Sequence, residues 1–227
     1  MLGRVNQPGT SRFAATYPPE QPGLPRGRSR LPVAVARERQ HDRLLRAAIS
    51  AIADKGYIDT NVADIVSRAR VSRREFYTHF GNIEDCFLAA ATASAATLFD
   101  TMSKATAELA PLAAMRAAIG AYLGMCAGEP EFTKCLIIDL PATGIRGATD
   151  RLRGDRKFAT MLHTLHEAAR SEHPGWPPAP DEAYLAAVGM IVEHVAEHLI
   201  NGEVHRLPAL TDRFHGLTLR LLGVPPH

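Results

Sequence analysis

Apolar residues recur at three- and four-residue spacing along most of the chain, and nowhere do they alternate with polar ones over a useful length. That pattern predicts an all-α protein. Leu44, Leu45, Ala48, Ile49 and Ile52 mark a first helix that starts near Arg37 and stops at Gly56. Asn61 followed by Asp64 carries the signature of a capping box and opens a short helix over 62–69. Ser72 followed by Glu75 repeats the device and opens a second short helix over 73–80, with only Arg70 and Val71 between the two. Two short capped helices joined by a tight turn form a helix-turn-helix. Gly81 ends the second, and Asn82 can cap a long helix after it.

Beyond residue 83 the pattern predicts helices over 83–108, 111–127, 130–139, 146–171, 181–201 and 208–222. Pro111, Pro130, Pro141 and the run "HPGWPPAP" mark the breaks. No internal repeat is evident. Residues 1–36 show no apolar period and are dominated by proline, glycine, serine and arginine, which predicts a disordered segment. Its Arg26, Arg28 and Arg30 also suit a basic arm that touches DNA backbone or minor groove. The expected organisation is therefore an arm over 1–36, a three-helix DNA-binding domain over 37–82, and a larger helical domain over 83–227.

The helix over 73–80 explains an otherwise crowded stretch, "VSRREFYTHF". Phe76 and Phe80 are four residues apart and share the face turned to Ile65 and the first helix. Arg73, Arg74, Tyr77 and Thr78 are left to face outward. A helix start also offers free backbone N–H groups and a positive dipole, which favour phosphate. Arginine forks two hydrogen bonds to guanine in the major groove, and a tyrosine hydroxyl donates to phosphate.

Charge agrees with this placement. The net charge is only +2, but residues 1–92 hold 14 Lys+Arg against 9 Asp+Glu, and residues 93–227 hold 12 against 15. A basic front suits a polyanion. The 227 residues, 46% of them hydrophobic, suffice for a sizeable core, and no uninterrupted apolar run reaches the roughly 18 residues of a membrane span. Three cysteines, Cys86, Cys126 and Cys135, form neither metal-like pairs nor an even set, which fits a reducing cytoplasm.

The stretch "GYIDTNVADIVSRARVSRREFYTHFGNIEDCF" resembles the DNA-binding domain of the tetracycline-repressor (TetR) family of bacterial transcription regulators. Gly56, Tyr57, Thr60, Val62, Ile65, Val71, Ser72, Phe76, Tyr77, His79, Phe80, Glu84 and Phe87 carry the resemblance, which extends over Arg37–Phe87. Three positions depart from the family pattern. Arg70 stands in the turn where glycine is usual, Ile83 where a lysine often opens the fourth helix, and Glu75 where a small hydroxyl residue is common. A left-handed Arg70 costs roughly 1–2 kcal/mol, which predicts an adjusted turn. The resemblance implies a DNA-binding set of Arg37, Thr60, Asn61, Ser72, Arg73, Arg74, Tyr77, Thr78, His79 and Asn82.

Residues after 87 carry no motif. By resemblance they form a ligand-binding and dimerisation domain. Leu112, Met115, Ile119, Tyr122 and Cys126 make one stripe that serves a core and, in such regulators, a ligand cavity. The expected ligand-contacting set is Phe99, Met102, Met115, Ile119, Tyr122, Cys126, Asp139, His163 and His166, suited to a small, mostly apolar effector. Tyr184, Val188, Ile191, Val195 and Leu199, with a second stripe of Ala183, Ala187, Met190 and His194, give the helix over 181–201 more apolar surface than one core needs. Leu210, Phe214, Leu217 and Leu221 do the same for 208–222, so these two helices are expected to pair with their copies in a homodimer. The reading is a DNA operator-binding regulator, most simply a repressor, with no cofactor. The alternative is a helical enzyme or metal protein built on His163/His166 or on His194/His198, whose four-residue spacing can hold a metal on one helix face.

Overall fold

The computed structural model describes residues 11–14 and 32–225, and the described residues are helical throughout with no strand. The basic residues Arg26, Arg28 and Arg30 lie outside them. The helices are α1 (Val33–Lys55), α2 (Val62–Ala69), α3 (Arg73–His79), α4 (Ile83–Thr106), α5 (Pro111–Gly128), α6 (Pro130–Lys134), a π turn (Cys135–Asp139), α7 (Leu140–Ala142), α8 (Ile145–Glu172), α9 (Asp181–Ile200), a 3-10 turn (Val204–Leu210) and α10 (Thr211–Leu221). Two compact units result. One comprises residues 1–94 with 131–148, the other 95–130 with 149–227.

In the first unit α1 ends at Gly56, whose φ of 85° lets its N–H return to Ile52 O at 2.7 Å. α2 opens with a complete capping box: Asp64 N donates to Asn61 Oδ1 at 3.2 Å and Asn61 N to Asp64 Oδ2 at 3.0 Å. α2 closes on Arg70, at φ 54° and ψ 48°. The expected adjustment of this turn does not occur. Arg70 N bonds Ser67 O and Val71 N bonds Val66 O, the two hydrogen bonds of a Schellman ending, and together they hold an arginine in the left-handed region. Arg43 Nε donates to Ala69 O at 2.8 Å and satisfies a further orphan carbonyl of the same helix end. Leu44, Ala47, Ala48, Ala51, Ile65, Val66, Ala69, Phe76, Phe80 and Cys86 form one buried cluster. The alanines of α1 bring α2 close, and Phe76 and Phe80 pack as the sequence predicts.

Residues 131–148 belong to this unit although they lie far along the chain. The helix expected over 130–139 is instead α6 followed by the π turn, in which Leu140 N bonds Cys135 O. The wider turn places Cys135, Asp139 and Leu140 all in the interior. Gly147 follows at a close approach: a Cβ there would run into Leu140 O. The segment over 1–36 is not wholly without a place either. Phe13 and Ala14 are buried, and the Phe13 ring lies 4.6 Å from that of Phe132, so burial of one aromatic overrides the polar composition around it.

In the second unit α5 is buried on several sides through Ala114, Met115, Ala118, Ile119, Tyr122, Leu123 and Cys126. It packs on the 3-10 turn and α10. α9 is long and apolar enough by length and composition to cross a membrane, which the run-length criterion did not flag. Here Tyr184, Ala187, Val188, Ile191, Val192 and Val195 turn that apolar surface inward. The helix expected over 208–222 begins later, at Thr211, because Pro208 falls in the preceding 3-10 turn.

Candidate nucleic-acid interface

α3 is seven residues long and starts at Ser72, whose Oγ accepts from Glu75 N at 3.0 Å. Arg73, Arg74, Tyr77 and Thr78 are exposed, while Phe76 and Phe80 are buried beneath them. Tyr77 is 58% exposed, and its ring stands edge-on to Phe76 at 5.4 Å, so the phenol projects from an apolar footing. Arg37 reaches across from α1 and donates to Thr78 O at 3.3 Å, which brings its guanidinium to the same end of α3. Asn61 and Ser72 are exposed helix caps whose side-chain oxygens accept from Asp64 and Glu75 N–H. Asn82 likewise accepts from Asp85 N at 2.8 Å and opens α4.

Two expected DNA contacts sit elsewhere. Thr60 is buried, and its hydroxyl donates to Gly56 O at 2.7 Å, closing the turn after α1. The His79 ring is also buried, beside His41 at 5.6 Å and Phe80 at 6.2 Å. Burial, helped by the charge of His41, lowers its pKa and favours the neutral ring. Glu75 does not complete a capping box at Ser72. It faces Nε2 of His79 at 3.5 Å, long for a hydrogen bond, and so stands beside the Arg73–Tyr77 face rather than on it.

Elsewhere in the first unit, ion pairs and hydrogen bonds that the sequence pattern did not single out tie its helices together. Arg68 donates to Ser50 at 3.1 Å and to Asp54 at 2.6 Å, tying α2 to α1. Arg146 pairs with Glu84 and Asp85, each at 3.0 Å, and so offsets half the charge of the two carboxylates at the start of α4. Lys134 donates to Asp139 Oδ2 at 3.0 Å and to Ile52 O at 3.4 Å, and Tyr57 N donates to Asp139 Oδ1 at 3.2 Å. Asp139, expected at the ligand, thus belongs to the first unit and holds the end of α1. Of these, only the short separation of Lys134 and Asp139 left any trace in the sequence.

The other expected ligand residues lie in the second unit. Phe99, Met102, Met115, Ile119, Tyr122 and Cys126 are buried, as is His166, while His163 is exposed. Tyr122 lies 5.2 Å from Phe158 of α8, and the Lys157 ammonium lies over the Phe99 ring at 4.2 Å. A cavity of about 350 Å³ opens elsewhere in the unit, lined by His194, His198, Arg206, Ala209, Leu210, Arg213 and Phe214. His194 Nδ1 lies 2.8 Å from Met190 O, and His198 Nδ1 lies 2.8 Å from His194 O. Among the described residues no group of three or more His, Cys, Asp or Glu is placed to hold a metal ion.

Residues 44–90 match the sequence profile of the bacterial regulatory proteins of the tetR family. A search of curated proteins returns no match. Among solved structures, the fatty acid degradation regulator FadR from Bacillus halodurans superposes with a TM-score of 0.73 at 18% identity, covering 83% of this chain and 97% of that one. FadR from Bacillus subtilis, in complex with stearoyl-CoA, gives 0.71 at 16%, covering 81% and 98%. A TetR-like transcriptional regulator from Rhodococcus sp. RHA1 gives 0.63 at 23%, covering 84% and 97%. At these identities the likeness establishes the fold.

Proposed function

We propose that this chain, a transcriptional regulator of the tetR family, works as a homodimer that binds a palindromic operator and is released from it by a small, mostly apolar molecule. The observation that carries the DNA half is the outer face of α3, with Arg73, Arg74, Tyr77 and Thr78 exposed over a buried Phe76 and Phe80. An arginine on such a face reads guanine, and the exposed N-caps Asn61, Ser72 and Asn82 stand where phosphates approach helix starts. Two copies of α3 held at one helical turn's separation read two half-sites.

Dimerisation is assigned to α9 and α10. Ile200 is 66% exposed and Leu221 46%, and the cavity between α9, the 3-10 turn and α10 leaves an apolar hollow beside them. The effector is assigned to the apolar interior formed by α4, α5 and α8. Support comes from the soft side chains Met102, Met115 and Cys126, and from the shared fold of a regulator solved with stearoyl-CoA. Release is a population shift. To move the protein from 99% DNA-competent to 1%, the effector must favour the incompetent state about 10⁴-fold, or about 5.5 kcal/mol.

Selection of bound sequences from a random DNA pool, followed by titration, tests the assignment. Enrichment of a palindrome is expected. Arg74→Ala weakens it by about 1–3 kcal/mol and relaxes preference at one base, while Tyr77→Phe weakens binding with little change in preference. No enrichment, or unchanged affinity in both variants, rejects the interface. Release by highly charged metabolites alone rejects the apolar effector.

A further inference from the structure

α8 presents Phe158, Leu162, His166 and Ala169 as one buried face, at spacings of four, four and three residues. Three of these are apolar. The fourth, His166, has no exposed surface. Its Nδ1 lies 2.8 Å from the hydroxyl of Tyr184 on α9, itself buried. Its Nε2 has no hydrogen-bond partner among the described residues. A buried, unpaired polar atom destabilises the fold, because it gives up its hydrogen bonds to water and gains none. An apolar side chain of similar size would avoid that cost, so an imidazole at this point calls for a reason.

We propose that the His166–Tyr184 pair is the hydrogen-bonding anchor of the effector site, and that Nε2 takes an uncharged hydroxyl or carbonyl oxygen of a ligand whose apolar body lies along Leu162 and Phe158. The proposal rests on the effector-responsive reading above and names the ligand's chemistry. Eight residues of helix separate His166 from Phe158, about 12 Å at 1.5 Å per residue, a length that matches an alkyl chain or a substituted ring once the side chains along it part. Tyr122 packs against Phe158 and continues the apolar wall onto α5. His163 sets its ring edge against Tyr184 at 4.8 Å and steadies the phenol from the solvent side.

The local charges select against an anionic head group. Arg170, one turn along, directs its Nη1 to both oxygens of Glu167 at 2.8 Å, so that cation is already engaged. Burial lowers the pKa of His166 and disfavours imidazolium, which leaves a neutral ring that donates or accepts one hydrogen bond. A neutral oxygen satisfies that ring, whereas a carboxylate would arrive without a cation.

The test compares two probes that differ by one hydroxyl, 4-propylphenol and propylbenzene, with 4-propylbenzoate as the anionic member. Binding to the full-length protein is followed by calorimetry. Wild type is expected to prefer the phenol over propylbenzene by about tenfold, the factor that about 1.4 kcal/mol represents. His166→Leu brings that ratio to about one while propylbenzene binds within threefold of wild type. The double variant His166→Leu, Tyr184→Phe removes both polar partners and is expected to melt no lower than wild type, which separates loss of the anchor from loss of the fold. A ratio that survives His166→Leu, tighter binding of the benzoate than of the phenol, or no binding of any probe overturns the proposal. Operator binding is titrated alongside: intact DNA binding with no phenol preference rejects this site alone, and absence of DNA binding in wild type rejects the regulator reading.

Discussion

Replacing Asp139 by leucine tests whether residues 131–148 hold the end of α1 as the hydrogen bonds indicate. The Asp139 side chain is 7% exposed and that of Lys134 32%. Leucine leaves the Tyr57 N–H without its carboxylate acceptor, worth about 1.5–3 kcal/mol for a bond to a charged group. The ammonium of Lys134 loses its pair as well. Its partial exposure to solvent limits that share to about 1 kcal/mol. Asp139→Leu should therefore cost about 2–4 kcal/mol. Lys134→Met leaves a nearly buried carboxylate held only by Tyr57 N–H and should cost about 2–3 kcal/mol. In the double variant the charge pair is gone from both sides, so its cost should fall short of the sum by about 1–2 kcal/mol. Urea denaturation followed by far-ultraviolet circular dichroism gives the stabilities, and amide exchange at Tyr57 reads the site locally. Additivity within about 0.5 kcal/mol, or a Tyr57 amide equally protected in Asp139→Leu, would refute the clamp.

Three further outcomes are expected. Gly147→Ala should cost about 2–3 kcal/mol, because the added methyl meets the backbone carbonyl of Leu140 as well as Thr143 Oγ1, and the carbonyl cannot turn aside as a flexible side chain could; a melting temperature within 2 °C of wild type would show that the segment shifts freely. Arg70→Gly should stabilise by about 0.5–1 kcal/mol, since glycine relieves the left-handed strain and gives back part in unfolded-chain entropy; thermal melts read the sign. Acidification should destabilise: burial is the first cause lowering the pKa values of His79, His166 and His215, so the unfolded chain binds more protons than the folded one as pH falls through and below about 6.5. Stability measured between pH 8 and 5.5 should fall with pH, less so in His79→Phe; a flat profile would contradict the burial of these rings.

The features legible in the sequence are those written in neighbouring residues. The Asn61–Asp64 box, the Ser72 cap and the prolines at 111 and 130 set helix limits through local hydrogen bonding and ring geometry, whereas helix continues through Pro141 to Ala142, and the four-residue spacing of Phe76 and Phe80 fixed which face of α3 points outward. What was not legible depends on partners far along the chain. Thr60 reads as a polar turn residue, yet its hydroxyl belongs to Gly56 and Ala51. Asp139 reads as a lone polar group in an apolar run, yet its partner Tyr57 is 82 residues away. The π turn has no periodicity of its own: a single wider turn shifts the interior face from Cys135 to Asp139 and Leu140, and a 3.6-residue template cannot anticipate it. His166 falls between these cases. Its spacing placed it on the inner face, but that one of its nitrogens has no partner among the described residues depends on packing from other helices.

The first unit takes its residues from two stretches of chain, 1–94 and 131–148, with a piece of the second unit inserted between them. Exchange of DNA-binding modules among regulators is easiest where a module is one continuous stretch of gene, cut once and ligated once. A cut after residue 94 would leave behind the residues that hold Ile49 O, Ile52 O, Tyr57 N, Glu84 and Asp85. During synthesis the same holds in time: these contacts wait until residue 146 has left the ribosome, so a nascent chain that has already made α1 to α3 does not yet have the braced form of them. A working chimera would need three junctions, after residues 94, 130 and 148, or an acceptor whose own residues supply the counterparts of Lys134, Asp139 and Arg146.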